Sequence, residues 1–117
     1  MSSSVKILHN PRCSKSRQTM QVLESNEITP DIIEYLKTPP SYDELDEILN
    51  MLGLEPRELM RTHEKPYKEN SLDNPELSRE QLITAMVANP ILIERPIVIH
   101  EGRAKIGRPP ESVLDIL

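Results

Sequence analysis

The segment HNPRCSKSR, residues 9–17, decides how this chain folds, and it holds the single cysteine, Cys13. It follows a short apolar run that predicts a buried first strand over residues 5–9. It leads into a segment that predicts a helix over residues 14–26. The thiol is therefore expected at a helix N-terminus, where unpaired backbone N–H groups and the helix dipole favour negative charge.

Three basic residues, Arg12, Lys15 and Arg17, surround this thiol in the sequence. Cationic surroundings at a helix N-terminus can lower a cysteine pKa from about 8.5 to roughly 3.5–7.5. The same backbone N–H groups also bind oxyanions. A lone cysteine is often just a small buried hydrophobe, but polar and cationic neighbours disfavour that interpretation here. The segment therefore predicts a thiolate nucleophile beside an anion pocket.

The composition indicates one domain over residues 1–117 with an aliphatic core, because 37% of the residues are hydrophobic and Phe and Trp are absent. No apolar run approaches the roughly 18 residues that span a membrane, and residues 1–4 do not resemble a signal peptide. One cysteine permits no internal disulfide. We therefore expect a cytoplasmic protein whose thiol is kept reduced and which is not associated with a membrane.

The net charge of −5 argues against general nucleic-acid binding. The charges are unevenly distributed along the chain. Residues 1–23 carry four basic side chains and no acidic one, whereas residues 24–94 carry sixteen acidic and six basic side chains. Charge counts alone do not distinguish a basic site from a chance fluctuation on a solvated surface.

The remaining pattern predicts an α/β chain. A second strand over residues 31–36 completes a β-α-β unit, whose right-handed crossover makes the strands parallel. A β-hairpin is expected over residues 97–106. A final helix over residues 111–117 is expected to turn Val113, Leu114 and Leu117 inward. Together these elements indicate a mixed four-stranded sheet.

The middle of the chain, about residues 37–91, is predicted to be a helical insert. The sequences SYDE at 41–44 and SREQ at 78–81 are capping boxes, which start helices. Gly53 is a typical helix stop. A short helix is expected over residues 56–61, followed by a polar loop.

Several motifs resemble one family, the glutaredoxin-dependent arsenate reductases. The motifs are HNPxC at 9–13, YLxTPP at 35–40, LMR at 59–61, PILIERPIV at 90–98 and RP at 108–109. The resemblance extends from about residue 6 to residue 117 and implies a thioredoxin-like fold. The sequences PRCSKSR at 11–17 and IGRPPE at 106–111 are similar to those of a chromosomal bacterial branch of the family. The thioredoxin-like fold also implies a cis peptide bond at Arg95-Pro96, facing the thiol.

The resemblance implies the roles of the site residues. Cys13 matches the cysteine that attacks arsenate, and the three arginines that hold the oxyanion match Arg61, Arg95 and Arg108. The supporting positions are His9, Ser16 and Arg17. Taken alone, an arginine such as Arg61 is more often a solvated helix end, and a histidine such as His9 is more often structural. The chain departs from the best-known members at Arg12, Ser14 and Lys15, which leaves the substrate preference open.

The function that the resemblance implies is the reduction of arsenate to arsenite through a Cys13 thiol-arsenate intermediate. Glutathione is the expected co-substrate and glutaredoxin the expected partner, with no bound cofactor and no metal. With one cysteine in the chain, the electrons must come from outside.

Two other functions are compatible with the sequence. One is a monothiol oxidoreductase that acts on glutathione adducts or on another oxyanion. The other is a redox-linked binding protein of the related transcription-regulator branch, which touches RNA polymerase. That branch often carries a Cys-x-x-Cys switch, and Ser16 in the fourth position disfavours it here.

Overall fold

The computed structural model describes residues 5–117 and divides the chain into two compact units. One unit takes in the chain up to Thr38 together with Arg95–Leu117, and the other is Pro39–Glu94. The first unit contains the β-sheet, and the second is helical.

The sheet unit begins with strand β1, helix α1 and strand β2 and ends with strands β3 and β4 and a C-terminal 3₁₀ helix. Their bounds are Val5–Leu8, Ser14–Ser25, Asp31–Ile33, Ile97–His100, Arg103–Ile106 and Pro110–Ile116. Within residues 5–117 the four strands form one sheet in the order β2-β1-β3-β4. β1 pairs parallel with β2 and antiparallel with β3, and β3 and β4 form the hairpin. The predicted mixed four-stranded sheet is therefore confirmed.

The core of this unit is aliphatic, as the composition predicts. The cluster joins β1, α1, β3 and the C-terminal 3₁₀ helix, and its buried members are Val5, Ile7, Leu23, Val98, Val113 and Ile116. Burying such side chains is the main favourable term in folding. Helix α1 is thereby fixed on the sheet, with its N-terminus at Cys13.

Strand β2 is shorter than predicted. It ends at Ile33 rather than at residue 36, because the chain turns at Glu34. The Glu34 carbonyl accepts hydrogen bonds from the N–H groups of Lys37 and Thr38, both at 2.9 Å. The Tyr35 side chain is fully buried after this turn.

The predicted final helix is present as a 3₁₀ helix, and the inward placement of Leu114 and Leu117 was wrong. Those two side chains are 39% and 37% exposed. The buried residues are instead Pro110, Val113 and Ile116. A 3₁₀ helix has three residues per turn, so every third side chain shares one face.

The second unit consists of helices α2, α3, α4 and α5, Tyr42–Leu52, Pro56–Leu59, Lys65–Glu69 and Arg79–Ala88, and a 3₁₀ helix, Pro90–Leu92. Both predicted capping boxes are confirmed, at the starts of α2 and α5. Helix α2 ends at Gly53, whose φ of 69° is left-handed. Apolar residues of α2 and α5 form its interior, including Leu45, Leu49, Ile83 and Met86. Among the residues described, in either unit, no helix is long and apolar enough to cross a membrane.

The period of the C-terminal 3₁₀ helix predicts the stability of two matched variants. Ile116→Ala empties part of the core and should lower the free energy of unfolding by about 2–4 kcal/mol. Leu114→Ala removes the same number of carbons as Ile116→Ala, but from an exposed position. It should lower the free energy of unfolding by less than about 1 kcal/mol. Urea unfolding followed by circular dichroism measures both. Equal losses, or a larger loss at Leu114, would contradict the assigned face.

Candidate active site

Cys13 is the N-cap residue of α1, and its thiol lies at the backbone N–H groups of the first helical turn. The loop before it is shaped by Asn10, which is buried. The side-chain oxygen of Asn10 accepts from the N–H of Arg12 at 3.1 Å. Its carbonyl accepts from the N–H of Cys13 at 2.9 Å. These two bonds close a tight turn that presents the thiol at the helix N-terminus.

Ser16 and Arg17 hold this loop from the first turn of α1. The Ser16 hydroxyl is fully buried and accepts from the N–H of Asn10 at 3.3 Å. The Arg17 guanidinium donates to the carbonyl of Pro11 at 3.0 Å. In this structure both side chains therefore bind the backbone of residues 9–13, which we call the reactive loop.

The environment of Cys13 favours the thiolate. Partial burial raises the pKa of the thiol, but hydrogen bonds from the backbone N–H groups of Ser16 and Lys15 lower it. A hydrogen bond and the positive charge of Arg95 lower it further. The net result is a pKa below the usual cysteine value, in agreement with the sequence prediction.

Arg95 and Arg108 lie together beside the sulfur. Nη2 of Arg108 is 4.0 Å from Sγ of Cys13. Nε of Arg108 donates to the carbonyl of Arg95 at 2.9 Å, which fixes the direction of its guanidinium group. Arg95 is 8% exposed. The site therefore combines a thiol, two guanidinium groups and a helix N-terminus.

Each of these arginines precedes a cis proline. The Arg95-Pro96 bond is cis, which confirms the sequence prediction, and Arg108-Pro109 is cis as well. The second was not predicted. The sequence Arg-Pro-Pro at 108–110 contains the necessary X-Pro bond but does not indicate its isomer.

Gly107 is a residue of this site that the sequence analysis missed. Its N–H donates to the carbonyl of Pro96 at 2.9 Å. A Cβ at this position would clash with the Thr19 side chain and lie 2.8 Å from Cγ of Pro96. Glycine is required here because the backbone next to Arg108 packs directly on α1 and on the residue after Arg95. Its place directly before a candidate arginine is the only sequence signal.

His9 lies at the end of β1 and is 9% exposed. Its backbone N–H donates to the carbonyl of Ile33 at 2.9 Å. Burial lowers the pKa of His9, the charge of Glu34 raises it, and that of Arg17 lowers it, with a net decrease. These surroundings therefore favour the neutral imidazole.

Arg61 belongs to the helical unit, where two carboxylates hold its guanidinium group. Nε lies 3.1 Å from Glu64, and Nη1 lies 2.8 Å from Glu94. Its backbone N–H donates to the carbonyl of Leu92 at 2.6 Å. Burial lowers the pKa of Arg61, but both carboxylates raise it, with a net increase. Arg61 is thus a partly buried, ion-paired residue within its own unit.

No group of three or more His, Cys, Asp or Glu side chains within residues 5–117 is arranged to hold a metal ion. The chemistry of the site is that of a thiolate with cationic and N–H donors. Such a constellation binds and attacks an electrophilic oxyanion.

Comparison with known proteins identifies the family of this site. Residues 8–116 match the ArsC family. The chain belongs to the ArsC family. The family that the sequence motifs resembled is thereby confirmed, and the mixed sheet of this ArsC-family chain is the expected thioredoxin-like fold.

Similar ArsC-family proteins cover nearly the whole chain. An arsenate reductase of Haemophilus influenzae is 50% identical over 115 residues, which are 97% of this chain and 99% of that protein. The uncharacterized protein YfgD of Escherichia coli K12 is 52% identical over 118 residues, covering 100% of this chain and 99% of YfgD. A solved arsenate reductase structure from Vibrio cholerae is 51% identical with a TM-score of 0.96, and each chain is covered completely.

The contacts of Cys13 predict its titration. Iodoacetamide alkylation followed against pH should give a midpoint below about 8.5, the value of a free cysteine. Arg95→Ala should raise the midpoint, because it removes a hydrogen bond and a positive charge from the thiolate. Arg103→Ala, at an exposed position of β4, is the matched control and should leave the midpoint unchanged. A wild-type midpoint at or above about 8.5 would contradict a lowered pKa of the Cys13 thiol.

Proposed function

We propose that this protein is an arsenate reductase, which converts arsenate to arsenite with glutathione and glutaredoxin through a Cys13 thiol-arsenate intermediate. The observation that carries the proposal is the thiol of Cys13 at a helix N-terminus with Arg95 and Arg108 beside it. Full-length relatives named as arsenate reductases support the same substrate.

Arsenate binding follows from the charges at the site. At neutral pH arsenate is an oxyanion, and the guanidinium groups of Arg95 and Arg108 pair with its oxygens. Arginine suits this task because its planar fork makes bidentate, charge-assisted hydrogen bonds. The backbone N–H groups of Lys15 and Ser16 are further donors at the helix N-terminus.

The first chemical step uses the thiolate of Cys13. It attacks As(V), a sulfur–arsenic bond forms, and one arsenate oxygen leaves as water after protonation. Arsenic keeps its oxidation state in this step. The arginines neutralise the charge of the oxyanion, which otherwise repels the incoming thiolate.

The reduction requires two electrons from outside the chain. A glutathione thiol displaces a second oxygen as water and forms a second sulfur–arsenic bond. The glutaredoxin thiolate then attacks the glutathione sulfur and forms a disulfide with it. The electron pair of the broken glutathione–arsenic bond stays on arsenic, which becomes As(III). Hydrolysis releases arsenite and returns the thiolate of Cys13.

Arg61 is proposed as the third oxyanion-binding arginine, by its match to the family motif. Its pairing with Glu64 and Glu94 means that an oxyanion has to replace carboxylate contacts that already exist. His9, Ser16 and Arg17 are proposed as supporting residues, and the loop contacts of Ser16 and Arg17 agree with that role.

The cytoplasm is the proposed place of action. Glutathione and glutaredoxin keep thiols reduced in that compartment, and the lone Cys13 has to return to its thiol form after each turnover. The proposed partners are arsenate, glutathione and glutaredoxin, with neither a nucleic acid nor a membrane.

A coupled assay tests the function directly. NADPH oxidation through glutathione reductase, with glutathione and glutaredoxin present, should depend on both arsenate and this protein. Cys13→Ser should abolish the activity, because a hydroxyl without an adjacent base is a far weaker nucleophile. Exchange with glutathione adducts but no arsenate-dependent oxidation would instead support the monothiol oxidoreductase.

The arginines should differ in their effects. Arg95→Ala and Arg108→Ala should each slow turnover. Each variant is expected to lose about 2–4 kcal/mol of transition-state stabilisation, the usual cost of removing one oxyanion donor. Both should also raise the pKa of Cys13. Arg61→Ala should impair turnover while leaving that pKa nearly unchanged. Both quantities are measured in all three variants by the coupled assay and by alkylation. An equal pKa shift in Arg61→Ala would refute this division, and normal arsenate turnover in all three would refute the proposed function.

A further inference from the structure

We propose that a pocket beside the reactive loop binds the γ-glutamyl end of glutathione. This inference rests on the proposed function, which requires glutathione to reach Cys13. The pocket has a volume of about 240 Å³ and lies entirely within the sheet unit. Residues 9–12 form one wall, and Glu34, Leu36 and Lys37 form the rest.

The pocket is lined by the loop residues that directly precede Cys13. Arg12 in its wall directly precedes Cys13, and consecutive Cα atoms are about 3.8 Å apart. An extended tripeptide spans roughly 10 Å, at about 3.3–3.6 Å per residue. The volume suits one end of glutathione rather than the whole molecule, since complete small-molecule sites measure about 300–1,000 Å³. With one end held in the pocket, an extended glutathione is long enough for its central cysteine to approach the neighbouring Cys13 in the proposed complex.

The charges at the rim match the γ-glutamyl group. Nζ of Lys37 lies 3.6 Å from Oε1 of Glu34. The γ-glutamyl end of glutathione carries an ammonium and a carboxylate on one carbon. In the proposed complex Glu34 pairs with the ammonium and Lys37 with the carboxylate, in place of the contact that the two side chains make with each other. Arg12 adds a further positive charge, and glutathione is an anion overall.

The interior of the pocket suits the rest of this group. Leu36 is 39% exposed, and it offers an apolar surface to the methylene groups of the glutamyl chain. His9 in the wall is about nine-tenths buried, and its Nδ1 has no hydrogen-bond partner among residues 5–117. His9 thus contributes a polar and largely buried side chain to the wall.

The test uses thiol–disulfide exchange without arsenate. Ellman's reagent converts Cys13, the single cysteine of the chain, to a mixed disulfide. An incoming thiolate attacks the Cys13 sulfur, forms a new disulfide and releases the coloured thionitrobenzoate anion. Glutathione, γ-glutamylcysteine and cysteinylglycine are compared. Each rate is divided by the rate of the same thiol with the mixed disulfide of free cysteine, which removes differences in thiol reactivity.

We expect the normalised rate to be about tenfold higher for glutathione and γ-glutamylcysteine than for cysteinylglycine, which corresponds to one well-placed charged contact. Glu34→Gln and Lys37→Gln should each remove most of that preference. Lys105→Gln is the matched control, because Lys105 pairs with Asp115 at the same 3.6 Å separation outside the pocket. It should keep the preference.

Two results overturn the proposal: equal normalised rates for the three thiols, or the same preference in Glu34→Gln and Lys37→Gln as in Lys105→Gln. The assay also separates this inference from the proposed function. Arsenate reduction without a γ-glutamyl preference would contradict the pocket alone. A γ-glutamyl preference without arsenate reduction would support the pocket and contradict the arsenate reductase.

Discussion

The close packing of Gly107 is the constraint on which the arrangement around Cys13 depends. The Gly107 backbone contacts Thr19 of α1 and Pro96 at the entrance of β3. Each of the three segments that meet here carries one member of the site. Cys13 is the N-cap of α1, Arg95 precedes Pro96, and Arg108 follows Gly107. Side chains from distant parts of the sequence are thereby brought together, so that Arg95 and Arg108 lie beside the sulfur of Cys13. Since interiors are close-packed, even one added methyl group at this point forces these segments apart.

The electrostatics of the site follow from that packing. Burial alone disfavours the thiolate, and backbone N–H groups and Arg95 reverse this effect on the pKa of Cys13. In the proposed mechanism the same donors serve twice. They stabilise the thiolate before substrate arrives, and they pair with arsenate oxygens once the sulfur charge has passed into the new bond. A preorganised set of donors needs little rearrangement between the two states, which is how such sites lower a barrier.

Local chemistry made much of this fold predictable. The two capping boxes, the stop at Gly53 and the thiol at the start of α1 each depend on residues close in sequence, and the structure contains all of them. The features that sequence reasoning missed depend on contacts between distant residues. The C-terminal segment is a 3₁₀ helix because its every third residue packs on the sheet unit, and an apolar pattern of seven residues fits either helix. The need for glycine at position 107 likewise comes from Thr19 and Pro96, which are not its neighbours in sequence, and its place before Arg108 does not reveal it. The carboxylate partners of Arg61 include one 33 residues away.

Substituting Gly107 tests most directly whether packing, through the two arginines, sets the reactivity of Cys13. The measurement is an NMR titration of the ¹³Cβ shift of Cys13 against pH, in the wild type, in Gly107→Ala and in Gly107→Ala combined with Thr19→Ala. The added methyl group should displace the arginines and raise the pKa of the thiol while the amide spectrum still shows a folded chain. Removing the Thr19 hydroxyl and methyl makes room on one side, so the pKa should return part of the way. An unchanged thiol pKa in a folded Gly107→Ala variant would contradict the account.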